Sequence, residues 1–284
     1  MGNQEYGTGL TTMYRMVIAE KLGIMPDKIN LVMGDSDLTP PGLTGGSRGM
    51  SVGGSAVLHA SDAVIDKGKE LAGELLEAAA ADIKFSRDDG AFRITGTDRQ
   101  VDLFTVATEA RSRGEEAALD SVYTHAPAAE TFPSGCHIIE VEIDPDTGVY
   151  VLERYSIVDD FGVTMNPLLL AGQVHGGIVQ GLGQAMLEQV VFDDDGQPLT
   201  GSFMDYAMPR ADNVPSFDFE TRNVPSTANP LGVKGAGEAG AIGAPSALIH
   251  ALLDALDRHN GTKHLDMPAT PEKVWRACQG LAAA

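Results

Sequence analysis

With 284 residues, 43% of them apolar and 21% charged, the chain is long enough to bury a substantial core, and its composition argues against a disordered or fibrous protein. A net charge of −20, from 40 acidic against 20 basic side chains, argues against nucleic acid or an anionic membrane surface as partner. Two cysteines, Cys136 and Cys278, match no spaced metal or disulfide pattern, and no uninterrupted apolar run nears the roughly 20 residues of a spanning helix. The expectation is therefore a cytoplasmic protein with no membrane segment, no iron–sulfur ligands of its own and, from the plain MGNQEYGTG start, no cleavable leader.

Gly7-Thr8-Gly9 leads into a helical pattern over residues 12–22, closed by Gly23. Residues 30–33 predict a short strand and residues 34–46 a loop rich in Asp, Pro and Gly. A long helix is predicted over residues 47–83. Gly49, Gly53 and Gly54 fall at its start, where propensity disfavours them, so close approach by another backbone or a ligand is expected there. Residues 84–130 read as strand, helix and strand. A hairpin follows, with strands at 136–143 and 149–158 joined by Asp144-Pro145-Asp146-Thr147-Gly148. A second glycine-rich helix spans 166–188, with Asn166 as its cap and Pro167 in its first position. After a turn at 193–196 come an extended region to residue 223, a glycine-rich loop at 232–243, a helix over 246–256 and a closing helix begun by Thr270 and Pro271. The sum is an α+β, mixed α/β fold over residues 1–284, divisible into subdomains 1–130 and 131–284.

Three polar, glycine-rich constellations stand out. Thr44-Gly45-Gly46-Ser47-Arg48-Gly49 places free amides and hydroxyls ahead of a helix, which suits an anion, although such loops also simply turn the chain. Gln173, Gly177, Gln180 and Gln184 share one helix stripe, and Gly172, Gly176 and Gly183 lie beside it. That stripe suits either the polar edge of a pterin or purine, or a tight polar contact between helices. His175 reads as a packing residue rather than a metal ligand. Finally, Lys234-Gly235-Ala236-Gly237-Glu238-Ala239-Gly240 sets one carboxylate among tiny neighbours. Enclosed, Glu238 would have a raised pKa and suit general base work; exposed, it would be an ordinary surface acid.

In this order the constellations resemble the molybdenum hydroxylase family: xanthine dehydrogenases, aldehyde oxidases, aerobic carbon monoxide dehydrogenases and dehydrogenases of N-heterocycles. The resemblance rests on Glu5-Tyr6-Gly7-Thr8-Gly9-Leu10-Thr11-Thr12, Gly34-Asp35-Ser36-Asp37, Gly45-Gly46-Ser47-Arg48, the run from Asn166 through Gln180-Gly181, Ser202-Phe203-Met204-Asp205-Tyr206, and Gly232 through Glu238. It implies the C-terminal molybdopterin-binding part of a large subunit of the xanthine dehydrogenase and aldehyde oxidase type. Glu238 would be the general base that activates a water-derived oxygen against an electron-poor carbon of an N-heterocycle, purine or aldehyde. Gly7, Thr8, Gly9, Thr44, Gly46, Ser47, Arg48, Gln180 and Gly237 would contact molybdopterin, in its cytosine dinucleotide form. The molybdenum itself would be held by the pterin dithiolene and by no side chain. A complementary molybdopterin-binding chain, an iron–sulfur subunit with 2Fe-2S clusters and an FAD subunit are the implied partners, because family large subunits are much longer than this chain.

Two departures stand out: Thr8 replaces the glutamine commonest at its position, and Gly49-Met50 stands where many relatives carry hydroxyl groups. These motivate a second reading, a non-catalytic subunit or fragment of such a complex with weak cofactor binding. A free-standing nucleotide-binding protein ranks last, since neither a phosphate-loop lysine nor a dinucleotide fingerprint is present.

Overall fold

The computed structural model describes residues 1–39 and 41–281, so Pro40, within the expected loop at 34–46, lies outside the described residues. The chain divides into two compact units, Met1–Thr131 with Ser226–Val233, and Phe132–Pro225 with the chain from Lys234 onward. Helices and two antiparallel-dominated sheets make this an α+β fold, as expected.

In the first unit α1 (Leu10–Leu22) buries Leu10, Met13, Tyr14 and Val17, the spacing of one helical stripe. Gly23 ends it in the left-handed region, its N–H returning to the Ala19 carbonyl. A Cβ at this glycine would stand 2.2 Å from the Arg87 carbonyl oxygen, so packing and conformation both require it. The strand expected at 30–33 does not form. The segment has no sheet neighbour among the described residues; the N-terminal ammonium donates to the Val32 carbonyl at 2.9 Å and the Thr11 hydroxyl to the Met33 sulfur at 3.6 Å.

The long helix expected over 47–83 is also corrected. A π-turn at Gly49–Gly54 precedes α2 (Ser55–Leu75), which stops eight residues before Ile83. Its end is closed by the N–H of Ala78 on the Gly73 carbonyl, with Glu77 at φ 53° in the place glycine usually fills. A non-glycine stop followed by the alanines at 78–81 hid the boundary. The expected strand–helix–strand excursion is instead three antiparallel strands, β1 (Ile83–Ser86), β2 (Ala91–Ile94) and β3 (Gln100–Asp102), then α3 (Leu103–Ser112). The second strand of that excursion does not form between α3 and residue 131; the chain there runs along α2, with the Ser121 hydroxyl donating to the Ala60 carbonyl at 2.9 Å. Phe92 and Val106, fully buried with Ile65 and Ile83, centre this core.

The second unit holds the expected hairpin, β4 (Ser134–Ile143) and β5 (Tyr150–Asp160). Its turn is tied by the Asp144 carboxylate, which accepts from the Asp146 amide at 3.0 Å and the Thr147 hydroxyl at 2.7 Å. β6 (Phe217–Thr221) joins β5 in parallel, giving the order β4-β5-β6. Two helices cover one face: α4 (Pro167–Met186), capped by the Asn166 side chain as expected, and α5 (Ala239–Asn260). The latter starts seven residues earlier than expected and shortens the glycine-rich loop accordingly. Pro245, inside α5 and past its first turn, made the helix start look later; it leaves one helical hydrogen bond unmade.

By length and composition α5 could cross a membrane. Here it is the core helix of its unit: Leu248, Leu252 and Leu256 are buried with Ile178, Leu182 and Tyr155, each such aliphatic side chain contributing roughly 1.5–3 kcal/mol. Closing α6 (Pro271–Cys278) is capped by the Thr270 hydroxyl, as its Thr-Pro start implies.

Candidate functional site

Gly7, Thr8 and Gly9 form a turn whose shape is set from within. Gly7 and Gly9 take φ values of 99° and 81°, a region L side chains rarely enter. The carboxylate of Glu5 closes the turn, accepting from the amides of Gly7, Gly9 and Thr11 and from the Thr8 hydroxyl at 2.8–3.2 Å. Burial would push this carboxyl up, but the Thr11, Gly9 and Gly7 amides and the Thr8 hydroxyl outweigh it and hold its pKa below the ordinary value. The outer side is open, since a Cβ at Gly7 would meet nothing within 4 Å.

Thr44 is stapled to the same stretch. Its hydroxyl accepts from the Gln4 amide at 2.7 Å and donates to the Gln4 carbonyl at 2.8 Å, while the Tyr6 hydroxyl donates to the Thr44 carbonyl at 3.2 Å. The first and second groups of expected contacts are thereby brought together. Gly46 and Ser47 follow, both left-handed at φ 62° and 52°; for Ser47, which carries a side chain, that is an uncommon conformation. Space around Gly46 is open, and the exposed Arg48 guanidinium has no hydrogen bond or ion pair among the described residues.

Gly49, Gly53 and Gly54, expected to admit a backbone or ligand, admit side chains instead. A Cβ would meet Leu10 at Gly49, the Tyr14 hydroxyl at Gly53, and Leu231 and Met50 at Gly54, all within 3 Å. Tyr14 is fully buried and donates to the Gly49 carbonyl at 2.9 Å, while the Leu10 side chain fills the space a Cβ at Gly49 would need.

In the second unit the glutamine stripe of α4 splits. Gly177 and Gly181 lie against α5: their Cβ positions would be 3.0 Å from the Ala241 amide nitrogen and 2.9 Å from the Ala241 carbonyl oxygen. Pro245 cannot supply that carbonyl's helical hydrogen bond. For these glycines the packing reading holds. Gly172, Gly176 and Gln180 form the neighbouring stripe, and both glycines have open space where a Cβ would stand. Gln180 and Gln184 are exposed. His175 sits against Phe217 and Phe219, its ring centroid 5.2 and 6.0 Å from theirs, with Nε2 buried and unpartnered.

Gly237 and Glu238 are exposed, and Glu238 is the cap residue of α5. Its carbonyl accepts the first helical hydrogen bond, from the Ile242 amide at 3.1 Å, but its carboxylate has no partner among the described residues. This chain leaves that side chain unenclosed. The loop before it is anchored firmly: the Lys234 amide donates to the Phe161 carbonyl at 2.9 Å and its ammonium pairs with Asp160. Asp160 also accepts from the amides of Gly162 at 2.8 Å and Val224 at 2.9 Å. Burial pushes the Asp160 carboxyl up, yet Lys234 and these amides outweigh it and hold its pKa low.

Sequence reasoning missed Glu5, Asp160 and a buried polar cluster beside α5. In that cluster His137 Nδ1 lies 2.8 Å from the Tyr155 hydroxyl and Nε2 3.6 Å from Asp159, whose other oxygen has no partner. The available signal was spacing: Gly135 and Gly243 leave the room that Asp159 and His137 fill. In the Ser202-to-Tyr206 motif Ser202 donates to Asp205 at 2.6 Å, and Tyr206 ties the motif to Glu188 just past α4 at 2.8 Å. It borders a cavity of 430 Å³ that is lined by none of the candidate residues.

Residues 1–215 match the family model described as a molybdopterin cofactor-binding domain. Subunit gamma of the 6-hydroxypseudooxynicotine dehydrogenase complex of Paenarthrobacter nicotinovorans is 37% identical over 99% of this chain and 36% of its own length. The carbon monoxide dehydrogenase large chain of Hydrogenophaga pseudoflava is 34% identical over 98% of this chain and 35% of its own. Among solved structures, quinoline 2-oxidoreductase from Pseudomonas putida 86 superposes with a TM-score of 0.86 at 31% identity, over 98% of this chain and 36% of that one. The chain thus spans about a third of the length of the relatives it matches. It belongs to the molybdopterin cofactor-binding domain family of the molybdenum hydroxylases.

Proposed function

We propose that this chain is the molybdopterin-binding part of a cytoplasmic molybdenum hydroxylase that oxidises an electron-poor carbon of an N-heterocycle, purine or aldehyde, with Glu238 as its general base. The residues present fit the cofactor on three counts: open space at Gly7 and Gly46, an unpaired Arg48 beside a left-handed Ser47, and an exposed Gln180 beside the open Gly172 and Gly176. Arg48 and the Gly46–Ser47 backbone would take the phosphate end of a cytosine dinucleotide form. Gln180 offers two donors and an acceptor to the pterin edge, with Gly176 allowing close approach. Thr44 serves by stapling the two loops together, its hydroxyl being already paired.

When bound, the molybdenum centre supplies the two-electron redox chemistry, which electrons leave by way of 2Fe-2S clusters and FAD on partner subunits. Glu238 takes up one proton, and the observation that carries its assignment is an unpaired carboxylate held at the start of α5 by an anchored loop. Its cover is proposed to come from the two-thirds of the relatives' length that this chain does not span, as a complementary molybdopterin-binding chain or segment. In the native complex, Glu238→Gln is expected to retain molybdenum and lower turnover by about 10²–10⁴-fold; full turnover in that variant rejects the assignment.

A second reading, a chain that stabilises the complex but binds cofactor weakly, is favoured by one observation. The amides of Gly7 and Gly9 and the hydroxyls of Thr8 and Thr44 are all engaged within the chain. Stoichiometric molybdenum in the purified complex would reject it.

A further inference from the structure

α1 begins at Leu10 with Gly9 as its cap residue, and glycine has no side chain with which to satisfy the first amides of a helix. Glu5, four residues earlier, performs that task. Its Oε1 accepts from the amides of Gly7 and Gly9 and the Thr8 hydroxyl, and its Oε2 accepts from the Thr11 amide at 2.8 Å. Four donors converge on one carboxylate at the positive end of a 13-residue helix, where each bond is charge-assisted.

This arrangement decides which edge of the turn is free. The two glycine amides point inward to Glu5, whereas the outer side of Gly7 is open. The Thr8 hydroxyl spends its single hydrogen on Glu5 and keeps its lone pairs, so it faces an incoming group as an acceptor. We propose that Glu5 is a positioning residue: it moulds the Gly7-Thr8-Gly9 turn so that this turn meets the cofactor through its open glycine side and the Thr8 lone pairs, not through the glycine amides. That use of the turn rests on the function proposed above, while the hold of Glu5 on the turn does not.

The test uses the native complex with Glu5→Ala and Glu5→Gln, measuring amide hydrogen exchange of residues 7–11 and molybdenum per complex after gel filtration. Glu5→Ala is expected to speed exchange there by about tenfold or more, the worth of one charge-assisted hydrogen bond, and to lower retained molybdenum by a similar factor. Glu5→Gln keeps one acceptor oxygen, so it is expected to recover most of the molybdenum with intermediate exchange; it also stands in if the alanine variant does not fold. Unchanged exchange in Glu5→Ala overturns the proposal, and so does faster exchange with wild-type molybdenum content. A wild-type complex devoid of molybdenum rejects the proposed function instead, and exchange alone then judges whether Glu5 holds the turn.

Discussion

Two glycine-bearing turns, one in each unit, lead into the first residues of a helix and carry a carboxylate close by, yet they use it in opposite ways. Glu5 is turned inward and saturated by four donors. Glu238, the cap residue of α5, is exposed and holds nothing. A carboxylate near a helix N-terminus is favourable in either place. What separates a scaffold acid from a chemically available one is therefore whether neighbouring amides are free to close on it. At Glu238 the neighbouring geometry is fixed by Lys234 and Asp160 instead, which leaves its carboxylate unspent.

The sharpest break in this comparison comes from exchanging charge at both acids. Glu238→Gln should cost about 10²–10⁴ in turnover and lower the melting temperature less than Glu5→Gln does, because its carboxylate loses the helix end but no hydrogen-bond partner. Glu5→Gln should lower the melting temperature, because it leaves amides unpaired. Equal thermal losses in the two variants would erase the distinction.

Next in size is Gly240→Ala. A Cβ there would stand 2.3 Å from the Val174 carbonyl oxygen and force α5 off α4, at a cost of about 1–3 kcal/mol or more in thermal or denaturant unfolding. Lys234→Met should follow: it leaves Asp160 without its cation at a cost of about 1–3 kcal/mol, and it loosens the loop ahead of Glu238. A turnover loss with unchanged substrate KM would locate the effect at Glu238 rather than in binding. The smallest effect concerns acid. Folding holds the Glu5 carboxyl below its ordinary pKa, so its contribution is complete above the unfolded value of about 4.3 and disappears as pH falls through the folded one. The acid limb of the stability curve should accordingly flatten in Glu5→Gln, while a parallel limb would show that Glu5 contributes no linkage.

Much of this was legible in the sequence, for reasons that differ by element. The β4–β5 hairpin and the starts of α4 and α6 announce themselves through residues with one local job: the Asp144 turn, the Asn166 cap and the Thr270-Pro271 start. Boundaries failed where the residue that stands there is not the one the local signal favours. Glu77 ends α2 in a conformation normally left to glycine, and Pro245 sits within α5. The candidate residues came from loop chemistry and from the family resemblance, and neither names their partners. Nothing local says that Glu5 reaches forward to Thr11, or that Asp160, 74 residues away, receives Lys234. The glycines of α4 were ambiguous for a related reason: adjacent stripes, Gly177 with Gly181 and Gly172 with Gly176, serve opposite surfaces.

Gly240 presses directly on the backbone of α4, between Val174 and Ile178, with no side chain intervening. The main chain at Glu238, two residues earlier, is therefore placed by backbone-to-backbone packing and not by the fit of core side chains. Exchanges of aliphatic volume elsewhere in the core can be absorbed by side-chain adjustment without displacing that stretch of main chain, whereas the addition of one methyl group at this crossing moves it directly.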